Sequence, residues 1–318
     1  MKNRIKASIV FMMIVFMASA LVNAFGAEIS QDQLKYRVGT YNIRLSAASA
    51  DKCTPNSWAS RRDALAGLIL KMDLDVFGLQ EVRPDQMKFL KKNLPEYEFV
   101  GDFRNADKKT GEASPVVYRK SRFIAERKGT FWLSETPDIP GVKGWGAACP
   151  RVCSYVILKD RLSSARFCFA NAHTDHVSAM AREKGMLLIV ERMKSLGAGL
   201  PIVFTGDHNC RETESPAKAV SAILNDAARS ALLSPPSGPW RTFNAWKWKE
   251  KELSAQDAIK LSAEELPAGL DGARIDYIYV SRDVKVLDYT VRNDTRPGTI
   301  YYPSDHFPVV STIMLTAK

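Results

Sequence analysis

The chain has little of most features that mark a special class of protein. Glycine (18) and proline (16) are too sparse in 318 residues for a collagen-like or low-complexity chain. At 25% charged and 46% apolar, it has too little charge and too much apolar content for a disordered one. Five cysteines, an odd count, do not make a disulfide scaffold, and the length can bury a core without one. Apart from one stretch at the amino terminus, no segment is apolar enough to span a bilayer. Acid is short: 35 Asp+Glu against 45 Lys+Arg leave a net charge of +10, which suits an anionic partner or a soluble basic surface. Histidine is the scarcest polar residue, with four in all.

Part of the charge belongs to the first 24 residues. Lys2, Arg4 and Lys6 precede an apolar run from Ile9 to Met17, and Val22-Asn23-Ala24 supplies small residues at a cleavage point. This is the pattern of a secretory signal, cleaved after Ala24 or Gly26, and the run is short for an uncleaved anchor. Its removal takes the charge from +10 to +7. No cysteine follows at once to accept a lipid, so the expectation is an exported chain, periplasmic or secreted, with a single domain over 28–318. In an oxidising compartment at least one of Cys53, Cys149, Cys153, Cys168 and Cys210 stays unpaired. Cys168, within the apolar run 167–170, reads as a buried thiol. Cys53, Cys149 and Cys153 lie in loop-like sequence that could supply one disulfide, and the absence of nearby histidines argues against zinc.

Strand and helix patterns alternate from end to end without repeat or linker. Strands are expected at 36–44, 75–79, 98–102, 115–119, 129–133, 151–159, 166–172, 202–205, 275–280 and 308–315, and helices at 57–72, from Pro84, and at 179–196. Too many strands follow one another for a simple βαβ repeat, which points to an α/β chain with a mixed sheet or two packed sheets. Apolar strands repeatedly end in acid, amide or imidazole groups. Strand 36–44 delivers Asn42, and 75–79 delivers Gln80 and Glu81. Strand 166–172 delivers His173, Asp175 and His176; 202–205 delivers Asp207, His208 and Asn209. Asp276 lies inside 275–280, and Asp305-His306 precedes the last strand. All four histidines fall in these acid-containing motifs, and strand ends can converge on one cleft.

In order, Asn42 in Tyr-Asn-Ile-Arg, Glu81 in Leu-Gln-Glu-Val, His173 in Asn-Ala-His-Thr-Asp-His, Asp207 and Asn209 in Thr-Gly-Asp-His-Asn, Asp276 in Arg-Ile-Asp-Tyr-Ile and Asp305-His306 in Ser-Asp-His-Phe-Pro-Val span residues 36–315. The set resembles that of the endonuclease/exonuclease/phosphatase family, the superfamily of deoxyribonuclease I. The stretches 111–120 and 130–137 further resemble a bacterial exported subgroup. The resemblance implies a four-layer α/β sandwich, with two mixed sheets face to face and helices outside. It also implies a divalent-metal-dependent phosphoesterase, acting as a monomer. Where the family more often has Phe, this chain has His208, which is either a core substitution or a substrate contact.

Hydrolysis of a phosphate ester needs a cation on the phosphoryl oxygens, an activated water and donors for the developing charge. Glu81, with the amide oxygen of Asn42, suits Mg²⁺ or Mn²⁺ better than zinc. Asp207 fits a general base or water-orienting group, and Asn209 a phosphate donor. His173 and His306 could flank the phosphorus, each kept protonated by an acid; either His306 or Asp207 takes the proton from water. The resemblance implies Asp276 behind His306, Asp305 at the metal or water, and Glu112 behind His173. Arg119 is either a phosphate contact or a surface residue, and Asp175 a helix cap. The segment from Trp240 to Trp248 stacks on bases, docks on a membrane or, best, packs one face of a strand on the sheet. The basic mature chain favours a phosphodiester such as extracellular DNA or RNA. A lipid phosphodiesterase, a phosphomonoesterase and a silent binding module are the alternatives.

Overall fold

Residues 34–247, 253–262, 264–266 and 274–316 are described by the structure, a computed structural model; the expected leader at 1–24 and Trp248 lie outside them. Among the described residues, thirteen strands make two sheets. The first sheet contains β1 (Lys35–Asn42), β2 (Val76–Gln80), β3 (Tyr97–Val100), β4 (Val116–Arg119), β11 (Val284–Val286), β12 (Thr290–Val291) and β13 (Val309–Leu315). Its order is β11-β13-β1-β2-β4-β3, with β12 also on β13. The second contains β5 (Phe123–Trp132), β6 (Val152–Asp160), β7 (Arg166–His173), β8 (Ile202–Asp207), β9 (Asn225–Asp226) and β10 (Asp276–Val280), in the order β5-β6-β7-β8-β10-β9.

Period-two burial explains the layering. Along β2, Val76 joins the core between the sheets, while Phe77 and Leu79 turn outward to meet helices. Valines and aromatics from both sheets fill that inner core, among them Val38, Val156, Phe169, Val203 and Ile278. Outside the first sheet lie α1 (Trp58–Met72) and α2 (Pro84–Asn93). The α1 residues Leu65, Leu68, Ile69 and Met72 are spaced to form one apolar stripe, and Pro84 opens α2 where a missing N–H costs nothing. Outside the second sheet lie α3 (Ala179–Gly197) and α4 (Ser215–Ser221). Ser178 caps α3 by accepting from the Ala181 N–H (3.1 Å), and Met186, Ile189 and Met193 pack on Cys168, Ala170 and Phe204. The result is an α/β sandwich of two mixed sheets with helices around them.

Each sheet is built around one parallel pair flanked by antiparallel strands: β1 with β2 between β13 and β4, and β7 with β8 between β10 and β6. The carboxyl ends of both parallel pairs and the amino ends of β10 and β13 therefore reach the same rim. Beneath that rim a polar bridge joins the sheets. Gln80 donates to Asn171 Oδ1 (2.7 Å), and Asn171 donates back to the Leu79 and Pro115 carbonyls (2.8 and 3.1 Å). Gly78 makes room for it, since a Cβ there would lie 2.0 Å from Asn171 Oδ1.

Three expectations change. β5 begins at Phe123 rather than 129, because it is an edge strand whose first half is mostly solvent-facing and lacks an apolar signal. Cys153 lies buried in β6 rather than in a loop, and all five cysteines are free thiols. The described part of the tryptophan-rich segment is irregular rather than a strand. Trp240 is buried beneath the guanidinium of Arg274 (4.4 Å), and Phe243 forms an isolated bridge with His306.

Candidate active site

Strand register brings the polar strand ends together. His173 ends β7 opposite Asp207 at the end of β8, and Asp207 lies opposite Asp276 at the start of β10. Asn42 ends β1 opposite Gln80, next to Glu81. Asp207 is the hub. Its Oδ2 accepts from Asn42 Nδ2 (2.9 Å) and lies 3.4 Å from His173 Nε2 and 3.7 Å from His306 Nε2, while its Oδ1 accepts from the Asn209 N–H (3.0 Å). Asn42 also donates to Glu81 Oε1 (3.2 Å), and Glu81 Oε2 accepts from the Leu45 N–H (2.8 Å). The Asn42 amide oxygen thus faces the Arg44 N–H (2.9 Å), while its NH₂ group holds two carboxylates apart. Glu81 (φ 61°) and Asn209 (φ 47°) both adopt the left-handed backbone region that ordinary side chains rarely enter, a strain typical of functional positions.

His306 Nδ1 pairs with Asp276 Oδ2 at 2.9 Å, and the Phe243 ring packs on the imidazole (4.9 Å). Burial alone would strip its proton, but the charges of Asp276, Asp207 and Asp305 outweigh burial and hold its pKa up at about 10. His173 has the opposite environment. Burial, then the positive charges of Arg151, His306 and Arg104, push it well below the usual imidazole range, so it is neutral. Burial and the neighbouring Asp276 raise Asp207 to about 7, against the pull of His306 and the hydrogen bonds from Asn42 and Asn209. A carboxylate so placed can accept a proton from water, and an imidazolium beside it can donate to an oxyanion.

Asp207, Asp276 and His306 each bring one ligand atom within 4.8 Å of the others, a grouping able to hold a metal ion. Asp276 Oδ1 is buried without a hydrogen-bond partner, so acceptor capacity remains. Protonated His306, however, has no lone pair to offer, which leaves the carboxylates of the cleft as donors. Such a hard-oxygen set suits a divalent cation.

Glu81, His173, Asp207, Asn209 and His306 line a cleft of about 430 Å³, with Asp276 and Asn42 buried behind them, together with residues that the motifs did not single out. Arg44, Arg104 and Arg151 all face it. Arg44 stands two residues after Asn42 in the same motif, Arg151 immediately precedes β6 at the edge of the expected strand 151–159, and Arg104 comes from a loop without a pattern. Asp305, expected at the metal or water, lies in the cleft with its Oδ2 3.4 Å from Arg44. Glu112 also reaches the cleft, but it pairs with Arg104 (2.8 Å) instead of His173, whose Nδ1 is buried without a partner. The stronger cation takes the acid. Arg119 does not line the cleft; it lies against Asp73 and the Tyr97 hydroxyl (2.5 and 2.8 Å). Asp175 accepts from the Val177 and Ser178 N–H groups (both 2.9 Å), shaping the turn before α3. His208 belongs to the core, stacked among Phe204, Tyr277 and Tyr279 with neither ring nitrogen hydrogen-bonded to a side chain or in normal geometry elsewhere.

An α/β sandwich with an acid–histidine cluster at its central strand ends is consistent with a metal-dependent phosphoesterase site. The family model described as the Endonuclease/Exonuclease/phosphatase family matches residues 39–306, and the chain belongs to that family. It is 33% identical to a mannosyl-6-phosphatase of Bacteroides thetaiotaomicron, over 88% of this chain and 100% of that one, with a TM-score of 0.76. A Bacteroides vulgatus endonuclease/exonuclease/phosphatase is 29% identical, over 89% and 99% of the two chains (TM-score 0.76). An uncharacterised protein of Acanthamoeba polyphaga mimivirus is 27% identical over 80% of this chain and 91% of its own length.

Proposed function

We propose that the protein is an exported, Mg²⁺- or Mn²⁺-dependent phosphoesterase that removes phosphate from a small phosphorylated sugar. The cleft carries this reading. At about 430 Å³ it is of small-molecule size, and neither Arg119 nor buried Trp240 extends it into a basic aromatic groove for nucleic acid. The likeness to a mannosyl-6-phosphatase over that protein's full length supports the same substrate class. The basic and apolar leader at 1–24 supports export.

Glu81 would hold the divalent cation, which when bound would supply positive charge for the phosphoryl oxygens. Asn42 keeps Glu81 and Asp207 in register through its NH₂ group. Asp207 orients the attacking water and takes its proton. His306, braced by Asp276, donates to a phosphoryl oxygen, while Asn209, expected as a phosphate donor, spends its NH₂ group on His173 Nε2 and the Thr174 carbonyl. Asp305 holds Arg44 at the rim.

The test is hydrolysis by the purified protein with Mg²⁺ of mannose 6-phosphate, an aryl phosphomonoester, an aryl phosphodiester, plasmid DNA, RNA and sphingomyelin vesicles. Turnover of the sugar ester, lost with chelator and in Asp207→Asn, is expected. A preference for DNA, RNA or lipid sinks the substrate assignment. Turnover of none sinks the enzyme.

A further inference from the structure

The wall of the cleft on the His173 side has no part in the chemistry above, yet it is firmly built. Two segments, 145–151 and 174–178, are pinned together. Asp175 Oδ2 accepts from the Ala148 N–H (3.0 Å), Ser178 donates to the Trp145 carbonyl (2.8 Å), and Arg151 reaches His176 Nδ1 (2.8 Å) and Asp175 (3.5 Å). Arg151 and Asp175 are only 5% and 1% exposed. Arg104 is held as firmly, through its carbonyl by Trp132 Nε1 (2.7 Å) and through its guanidinium by Glu112.

Protonation states follow from the partners. A guanidinium cannot accept, so His176 Nδ1 accepts from Arg151 and the ring proton sits on Nε2, a donor on a residue that lines the cleft. Asn209 Nδ2 must donate to the Thr174 carbonyl (3.1 Å), which fixes it as donor to His173 Nε2 as well (2.9 Å). His173 then carries its proton on Nδ1, where it is buried and has no acceptor. A buried donor without a partner is costly, and it lies out of reach of the cleft, so His173 offers no hydrogen bond from Nδ1 to a ligand there.

The wall is balanced in charge, Arg104 against Glu112 and Arg151 against Asp175. A second phosphate would need an excess of positive charge there. Fixed donors beside a carboxylate acceptor match hydroxyl groups, which both donate and accept. We propose that Arg104, Glu112, Arg151 and His176 form a polyol subsite that grips hydroxyls of the substrate beside its phosphate. This rests on the reading of the protein as a sugar-phosphate phosphoesterase.

Selectivity tests it. The ratio of kcat/KM for mannose 6-phosphate to that for p-nitrophenyl phosphate, which has no hydroxyls to grip, should fall about 10–100-fold in His176→Ala and in Glu112→Gln. A ratio within about 2-fold of the unaltered protein in both variants overturns the subsite. Binding offers a second readout that needs no turnover. By calorimetry with Mg²⁺, Asp207→Asn protein should bind mannose 6-phosphate at least about 10-fold more tightly than inorganic phosphate, and adding His176→Ala should erase most of the difference. Equal affinities in Asp207→Asn also overturn it. If the unaltered protein hydrolyses nothing, the phosphoesterase reading fails while these affinities still decide the subsite.

Discussion

The two sides of Asp207 carry the same side chain in opposite states of charge. His306 stands among Asp276, Asp207 and Asp305 and keeps its proton to about pH 10. His173, equally buried, faces Arg151 and Arg104 without an acid of its own and is neutral. An imidazole therefore takes its role from the charges around it. The His306 side is charged and can stabilise a phosphoryl oxygen, whereas the His173 side is electrically quiet and offers hydrogen bonds. On the proposed reading, one wall serves reaction and the other recognition. His208 is a third case: burial pushes its pKa down to about 3, with the Thr205 backbone acting in the opposite direction.

The comparison breaks first at Asp276. Asp276→Asn keeps a hydrogen-bond partner for His306 but removes the charge that holds its proton. We expect kcat to fall about 10³-fold and the His306 resonance in an NMR titration to move to lower pH; an unmoved resonance contradicts the account. Next is His208→Phe, which asks whether burial without charge acts as described. The folded-state pKa lies below the unfolded value, so the unfolded chain takes up a proton that the folded one refuses, and stability drains away as pH falls below about 6.5. Between pH 7 and pH 5 this loss is about 2 kcal/mol, and denaturant titrations should show it removed in His208→Phe. A smaller effect is expected from Arg151→Met. With one positive neighbour gone, His173 should titrate at a higher pH, and an unmoved or downward titration would reverse the assignment of the quiet side. Smallest is Arg119→Ala. Its partner Asp73 is exposed, so stability should change by under about 1 kcal/mol, and kcat/KM should stay within about 2-fold.

The reaction side was legible in the sequence, and the recognition side was not. Asn42, Glu81, Asp207, Asp276 and His306 sit at ends of apolar strands, where a polar group interrupts a regular pattern and register then fixes its place. Arg104 and Arg151 come from irregular segments, and a surface arginine looks the same in sequence as one turned into a cleft. Glu112 shows the cost of reading residues singly, because the cation that claims it was invisible until the loops were placed. The central strands were found near their true ends, while β9 and β12, two residues each, have no period to detect. His208 was an open choice between core and site, and only the aromatic stack around it decides for the core.

The bridge from Gln80 to Asn171 over Gly78 bears on how this protein can change through descent. A side chain at position 78 collides with Asn171, while loss of Asn171 removes one of the two acceptors of Gln80 Nε2 and leaves the Leu79 and Pro115 carbonyls without that donor. No one of the three positions can drift alone without harming the other two. They form a single heritable unit.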